Sequence, residues 1–212
     1  MDFVKIGTYI ESLYEKRKLT RKQYTEATAL KSFGPVVDDD VARMLQVLIT
    51  MTRPQKILEI GTSIGFSTVS MAKVIKQFGG TIVTIEMDAK VAEQAAKNFE
   101  REGVKEQIEL RIGEAHAIVS SMNEEFDFIF QDVGDKKLYG EMLEDYLRLL
   151  KPGGLLVAED TLFPVFDFGS EYGDLTSMCE SLDRFNRKMA DCPQFESTLL
   201  PIGDGLTVAV KR

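Results

Sequence analysis

From Lys56 onward, short apolar runs alternate with segments of helical periodicity, and each run ends near a glycine or an acid. The pattern predicts strands over 56–60 (KILEI), 81–86 (TIVTIE), 107–112 (QIELRI), 126–131 (FDFIFQ) and 155–159 (LLVAE). Continuous apolar strands separated by helices are what a parallel sheet covered on both faces requires. Breaks fall at Gly79-Gly80, at Gly103 and at Pro152-Gly153-Gly154. Upstream, Phe3, Ile6, Ile10 and Leu13 recur at helical spacing and predict a helix over 3–18, followed by a second over 20–31. Gly34-Pro35 interrupts, and Asp38, Asp39 and Asp40 then suit a helix N-terminus that puts Val41, Met44, Leu45 and Leu48 on one face. Downstream, a helix over 172–190 precedes two apolar segments, 195–201 and 206–211, around a Gly-Asp-Gly turn that suits a hairpin.

The chain of 212 residues, 44% hydrophobic, is long enough for one substantial core. No low-complexity linker or repeat divides it, so one domain is expected over 1–212, with residues 1–52 as a helical cap and 53–212 as the α/β core. The net charge of −8 works against a broad nucleic-acid surface. One local exception is the basic run Lys16, Arg17, Lys18, Arg21 and Lys22, which reads either as a solvated helix end or as a contact for an anionic partner. Charges interleave the N-terminal apolar residues, unlike a signal peptide, and no run is long enough for a bilayer. Cys179 and Cys192 lack any CxxC or Cys/His company and are expected to be reduced thiols. A cytoplasmic protein with no membrane partner is the expectation.

The first strand leads into residues 58–67 (LEIGTSIGFS), which read as ExGxxxG and then a helix. In an α/β sheet this loop is where backbone approaches a ligand, and Gly61 and Gly65 remove the Cβ atoms that would obstruct it. The GxGxxG of a nicotinamide site is absent. Glu86 ends the second strand, where a carboxylate can accept both hydroxyls of a ribose. Together with a terminal antiparallel hairpin, these features resemble the class I methyltransferase fold that binds S-adenosylmethionine. The resemblance implies a Rossmann-like, seven-stranded, mostly parallel sheet ending in an antiparallel hairpin, with helices on both faces. Glu114 falls where that fold meets the adenine, or is simply a helix-start acid. His116, the single histidine, excludes His-rich metal sites.

Asp132, Glu159 and Asp160 fall at the carboxyl ends of the fourth and fifth strands, on the edge that carries the glycine loop. Converging carboxylates repel one another unless protons or a cation intervene, and an oxygen-only set favours magnesium, manganese or calcium over zinc. A solvated strand end, or structural acids, is the plain alternative. Residues 128–139 (FIFQDVGDKKLY) and 158–163 (AEDTLF) resemble the FxDxxK…Y and DNxLW/F segments of the cation-dependent O-methyltransferases, the catechol and caffeoyl-CoA type. Residues 192–206 (CPQFESTLLPIGDGL) resemble its bacterial branch, which includes a tRNA 5-hydroxyuridine O-methyltransferase.

That resemblance implies Asp132, Glu159 and Asp160 as metal ligands and Lys136 as general base. It places Val37, Glu59, Gly61, Ser63, Gly65, Ser67, Glu86, Met87, Glu114, Ala115 and Asp132 around S-adenosylmethionine, and it implies a homodimer. The chain departs from the pattern twice. Glu159-Asp160 stands where the family usually has Asp-Asn, and one extra residue near Gly134 leaves Lys136 and Lys137 competing for the role of base. The expected function is methyl transfer to a hydroxyl of a small catechol-like acceptor, assisted by a divalent cation. Two alternatives remain: the tRNA hydroxyuridine as acceptor, and a cofactor-binding protein whose metal site has degenerated. Phe163, Phe166, Phe168 and Tyr172 either wall a flat substrate or pack on a partner subunit.

Overall fold

The computed structural model describes residues 3–14, 20–169 and 173–212. Seven strands form one sheet: β1 (Lys56–Ile60), β2 (Thr81–Glu86), β3 (Ile108–Ile112), β4 (Phe126–Gln131), β5 (Leu150–Ala158), β6 (Phe195–Leu200) and β7 (Leu206–Lys211). Their order is β3-β2-β1-β4-β5-β7-β6. The first five run parallel, and β7 pairs antiparallel with both β5 and β6. Strand order reverses between β1 and β4, so the crevice at their carboxyl ends is where an open α/β sheet accepts a ligand.

Nine helices are described: α1 (Phe3–Tyr14), α2 (Arg21–Glu26), α3 (Asp39–Thr52), α4 (Phe66–Ile75), α5 (Ala89–Arg101), α6 (Ala115–Ser121), α7 (Lys137–Glu141), α8 (Leu143–Leu149) and α9 (Thr176–Asp191). Side chains alternate across a strand, and each face of the sheet therefore has its own core. On one face Ile57, Phe128, Phe130 and Val157 meet Leu45, Ile49, Val69, Ala72 and Phe99 from α3, α4 and α5. On the other, Leu58, Ile129 and Leu156 meet Val119, Tyr139, Tyr146, Leu182 and Phe185 from α6 to α9.

Several expected boundaries move. The second helix stops at Glu26 rather than continuing to 31, because beyond it the chain is tied elsewhere, with Leu30 N donating to Gln94 Oε1 at 3.1 Å. The strand expected from 107 begins at Ile108, after a single 3-10 turn over Lys105–Gln107. Strand β5 begins at Leu150 and passes through Pro152-Gly153-Gly154 as an irregularity, with the register against β4 shifting between Phe126 and Phe128. The helix after the aromatic segment begins at Thr176, and the expected continuation of α1 over 15–18 lies outside the described residues. The hairpin forms as expected, β6 pairing β7 from Phe195↔Lys211 to Leu200↔Leu206. Along α1, Ile6, Tyr9 and Leu13 stay 40%, 65% and 58% exposed, so among the described residues nothing covers its apolar stripe.

Candidate active site

The loop between β1 and α4 is held from beneath and from the side. Gly61 N and Thr62 N both donate to Ile85 O on the neighbouring strand. A Cβ on Gly61, at φ +97°, would lie 1.7 Å from the carbonyl oxygen of Asp132, so this glycine lets the β1 loop close on the end of β4. Gly65 serves packing of another kind, since a Cβ there would stand 2.4 Å from the Phe99 ring of α5.

Glu59 lies below this loop and is fully buried. Its carboxylate accepts hydrogen bonds from Ser67 Oγ at 2.6 Å, Thr68 Oγ1 at 2.5 Å and Thr84 Oγ1 at 2.6 Å, while Thr62 and Thr84 hydroxyls share a further bond of 2.6 Å. Burial pushes the Glu59 carboxyl up to about 7, partly opposed by those hydroxyls. Glu59 and Ser67, both in the expected cofactor set, face each other inside the protein. They join β1, β2 and α4 under the loop, and sequence reasoning missed Thr62, Thr68 and Thr84 in that cluster.

Other residues of the expected cofactor set face the open edge. Glu86 Oε2 accepts from Ser63 N at 2.8 Å and Oε1 from Asp88 N at 2.9 Å. Each oxygen has a second lone pair to offer a ligand hydroxyl. Met87 is 70% exposed beside it, Glu114 is exposed at the start of α6, and Ala115 and His116 are half-buried in the same turn. Val37 is buried, in the segment whose Gly34 O accepts from Ser63 Oγ at 3.1 Å.

The second cluster is acidic. Asp132, just past β4, donates its amide to Ile60 O, and Glu159, just past β5, donates its amide to Gln131 O. Carboxylate oxygens of Asp132, Glu159 and Asp160 all lie within 4.8 Å of one another. Asp160 sits at φ +64°, a left-handed conformation that Asp tolerates better than most residues. Burial and the neighbouring acids raise both the Glu159 and the Asp132 carboxyls, with Lys136 opposing the shift. Asp204, from the β6–β7 hairpin, is raised too, first by partial burial and then by Asp160 and Asp38. Its backbone amide reaches Glu159 Oε1 at 3.4 Å, and Gly203 N donates to Asp40 Oδ2 at 3.2 Å. The hairpin turn thus adds an acid to the site, one that reads in sequence as turn chemistry alone.

Lys136 is buried among these acids, and Lys137 is exposed. The Lys136 ammonium donates to Asp160 Oδ2, to Val133 O at 2.6 Å and to Tyr139 Oη at 3.1 Å. It also stands 5.8 Å from the centre of the Phe163 ring. Phe163, Phe166 and Phe168 cluster with centroids 4.9–6.1 Å apart, with Val165 74% exposed beside them; Tyr172 lies outside the described residues. Of the basic run, Lys16, Arg17 and Lys18 also lie outside them, whereas Arg21 pairs with Asp38. Hard oxygen donors at this spacing fit magnesium, manganese or calcium.

A glycine loop at the strand-order reversal, an acid closing β2 and a terminal antiparallel hairpin define a class I methyltransferase fold. The sequence profile of a family described as O-methyltransferase matches residues 10–212. The chain belongs to this family of S-adenosylmethionine-dependent O-methyltransferases. It is 38% identical to a catechol O-methyltransferase of Niastella koreensis over 130 residues, 59% of this chain and 58% of that protein, so the match spans little over half of the relative. With a caffeoyl-CoA O-methyltransferase of Populus kitakamiensis it shares 28% identity over 93% of this chain and 85% of the relative. Its fold superposes on the crystal structure of an O-methyltransferase from Bacillus cereus in complex with SAH at TM-score 0.77, with 25% identity, covering 95% and 96% of the two chains.

Proposed function

We propose that this protein transfers a methyl group from S-adenosylmethionine to a hydroxyl of a small catechol-type acceptor, assisted by a divalent cation. The observation that carries the reading is the convergence of Asp132, Glu159 and Asp160 on the sheet edge that also carries the Gly61 loop and Glu86. Bound S-adenosylmethionine supplies an electrophilic methyl on a sulfonium. Glu86 is placed to accept its ribose hydroxyls, Ser63 to fix the loop against Glu86, and Glu114 and Ala115 to border the adenine. A divalent cation held by Asp132, Glu159 and Asp160 would supply Lewis acidity toward the acceptor hydroxyl.

The remaining work falls to the chain itself. Lys136 is the basic group within reach of an acceptor bound at Asp160, and Tyr139 fixes its amine from behind. Phe163, with Phe166 and Phe168 against it, walls the opening with apolar surface that suits a flat ring and excludes water. Alignment of the acceptor oxygen with the methyl group is then the main contribution to rate. In the same reading the protein is one cytoplasmic domain that acts as a homodimer. The uncovered stripe Ile6, Tyr9 and Leu13 supports the homodimer. Among the described residues no helix is long and apolar enough to cross a membrane.

Radiolabelled methyl transfer to a panel of catechols, a caffeoyl thioester and hypomodified tRNA, each with magnesium or with excess chelator, tests the proposal. Catechol methylation that requires the cation is expected. Transfer to tRNA alone would replace the acceptor, and full activity in chelator would remove the metal from the reading.

A further inference from the structure

Asp160, one of the three clustered acids, is ion-paired with Lys136. Both side chains are enclosed, at 3% exposure for Lys136 and 15% for Asp160. An ammonium has three protons, and all three are engaged here, by Asp160, Val133 O and Tyr139 Oη. The three-carboxylate set therefore already contains a cation of its own. A charge this enclosed does not leave its partner without a replacement, because an unpaired buried charge is strongly unfavourable.

We propose that the Lys136 ammonium and the divalent cation compete for Asp160, so that metal binding is an exchange that expels Lys136 from the carboxylate set toward the acceptor. The inference rests on the metal reading of Asp132, Glu159 and Asp160 given above. Three acids would ordinarily hold a divalent ion more tightly than two acids and an amide. Here part of that advantage is cancelled, since one acid is neutralised in advance by a side chain of the same protein. The exchange also ties the position of the amine to the state of the site: Lys136 is sequestered until the cation arrives.

Manganese binding, read by loss of the free-ion paramagnetic resonance signal, tests the exchange without reference to activity. Lys136→Met, close in length and apolar, should bind manganese at least tenfold more tightly than the wild type. Equal or weaker binding by the variant overturns the competition. If neither protein binds manganese at millimolar concentration, the metal reading itself falls, and the exchange with it. A second measurement needs only the wild type: amine-reactive labelling followed by mass spectrometry, with the exposed Lys137 as internal reference. Saturating manganese should speed labelling of Lys136 relative to Lys137 several-fold, and an unchanged ratio overturns the expulsion.

Discussion

Glu59 makes stability depend on pH in a direction opposite to that of most carboxylates. Its folded value is raised from 4.5 to about 7 by burial. Between those two values the native state holds a proton that the unfolded chain has released. The stabilisation this group contributes is therefore complete below pH 4.5 and is lost as pH rises to about 7. Integrated from pH 5 to pH 8, the loss is about 2.5 kcal/mol, using 1.36 kcal/mol per unit. Glu59→Gln keeps the size of the side chain, with its carbonyl oxygen accepting from Thr68 and Thr84 and its amide donating to the Ser67 hydroxyl, but it cannot ionise. Urea unfolding of both proteins at several pH values isolates the effect, because the other titrating groups contribute equally to each. The variant should gain on the wild type by about 2.5 kcal/mol between pH 5 and pH 8. Parallel curves, with a difference constant to about 0.5 kcal/mol, would refute a carboxyl held neutral by burial.

Other perturbations separate the loop from the acids. Glu86→Ala removes an acceptor for two hydroxyls, each worth about 1.5–3 kcal/mol to a charged group, and should weaken S-adenosylmethionine binding by calorimetry by at least about thirtyfold; unchanged affinity excludes the ribose role. Asp160→Ala should abolish methyl transfer while leaving cofactor affinity within about threefold, since 1.4 kcal/mol corresponds to tenfold. A parallel collapse of cofactor binding would place Asp160 in the cofactor site instead. Gly61→Ala drives a methyl into the Asp132 carbonyl at a positive φ and should cost about 3 kcal/mol of stability, from left-handed strain together with overpacking. An unchanged urea midpoint would show that the β1 loop yields more easily than its close contact with β4 implies.

Most of the parallel strands are legible in the sequence because β1, β2 and β4 are short, largely apolar runs bounded by a glycine or an acid. The start of β5 is not. Pro152-Gly153-Gly154 carries the composition of a break, yet β4 pairs with both sides of it, Phe126 with Leu150 and Phe128 with Leu155. Local composition reports how easily a backbone turns, whereas the partner strand decides whether it turns away. The second helix shows the same limit: its pattern permits continuation to 31, but the chain leaves the helix after Glu26 and Leu30 N bonds instead to Gln94, far along the chain.

In the site, chain position shows that Asp132, Glu159 and Asp160 come together, whereas side-chain direction is not legible at Glu59. Glu59 precedes the loop glycines and so reads as a ligand contact, but the period of two along β1 places it with Ile57, on the face toward α4. The register pairs it with Thr84, whose hydroxyl it binds, so the acid and the threonine of TIVTIE form one feature split between two strands. The lysine shows the same limit at the acids. One extra residue before it makes Lys136 and Lys137 equivalent in sequence, and only the turn into α7 seats one among carboxylates and leaves the other in solvent. Counting charges along the chain, Glu159-Asp160 looks like one more negative for a metal than Asp-Asn would provide. With Lys136 on Asp160 that extra charge is already paired within the fold, so under the proposed exchange a divalent cation would have to displace a tethered one.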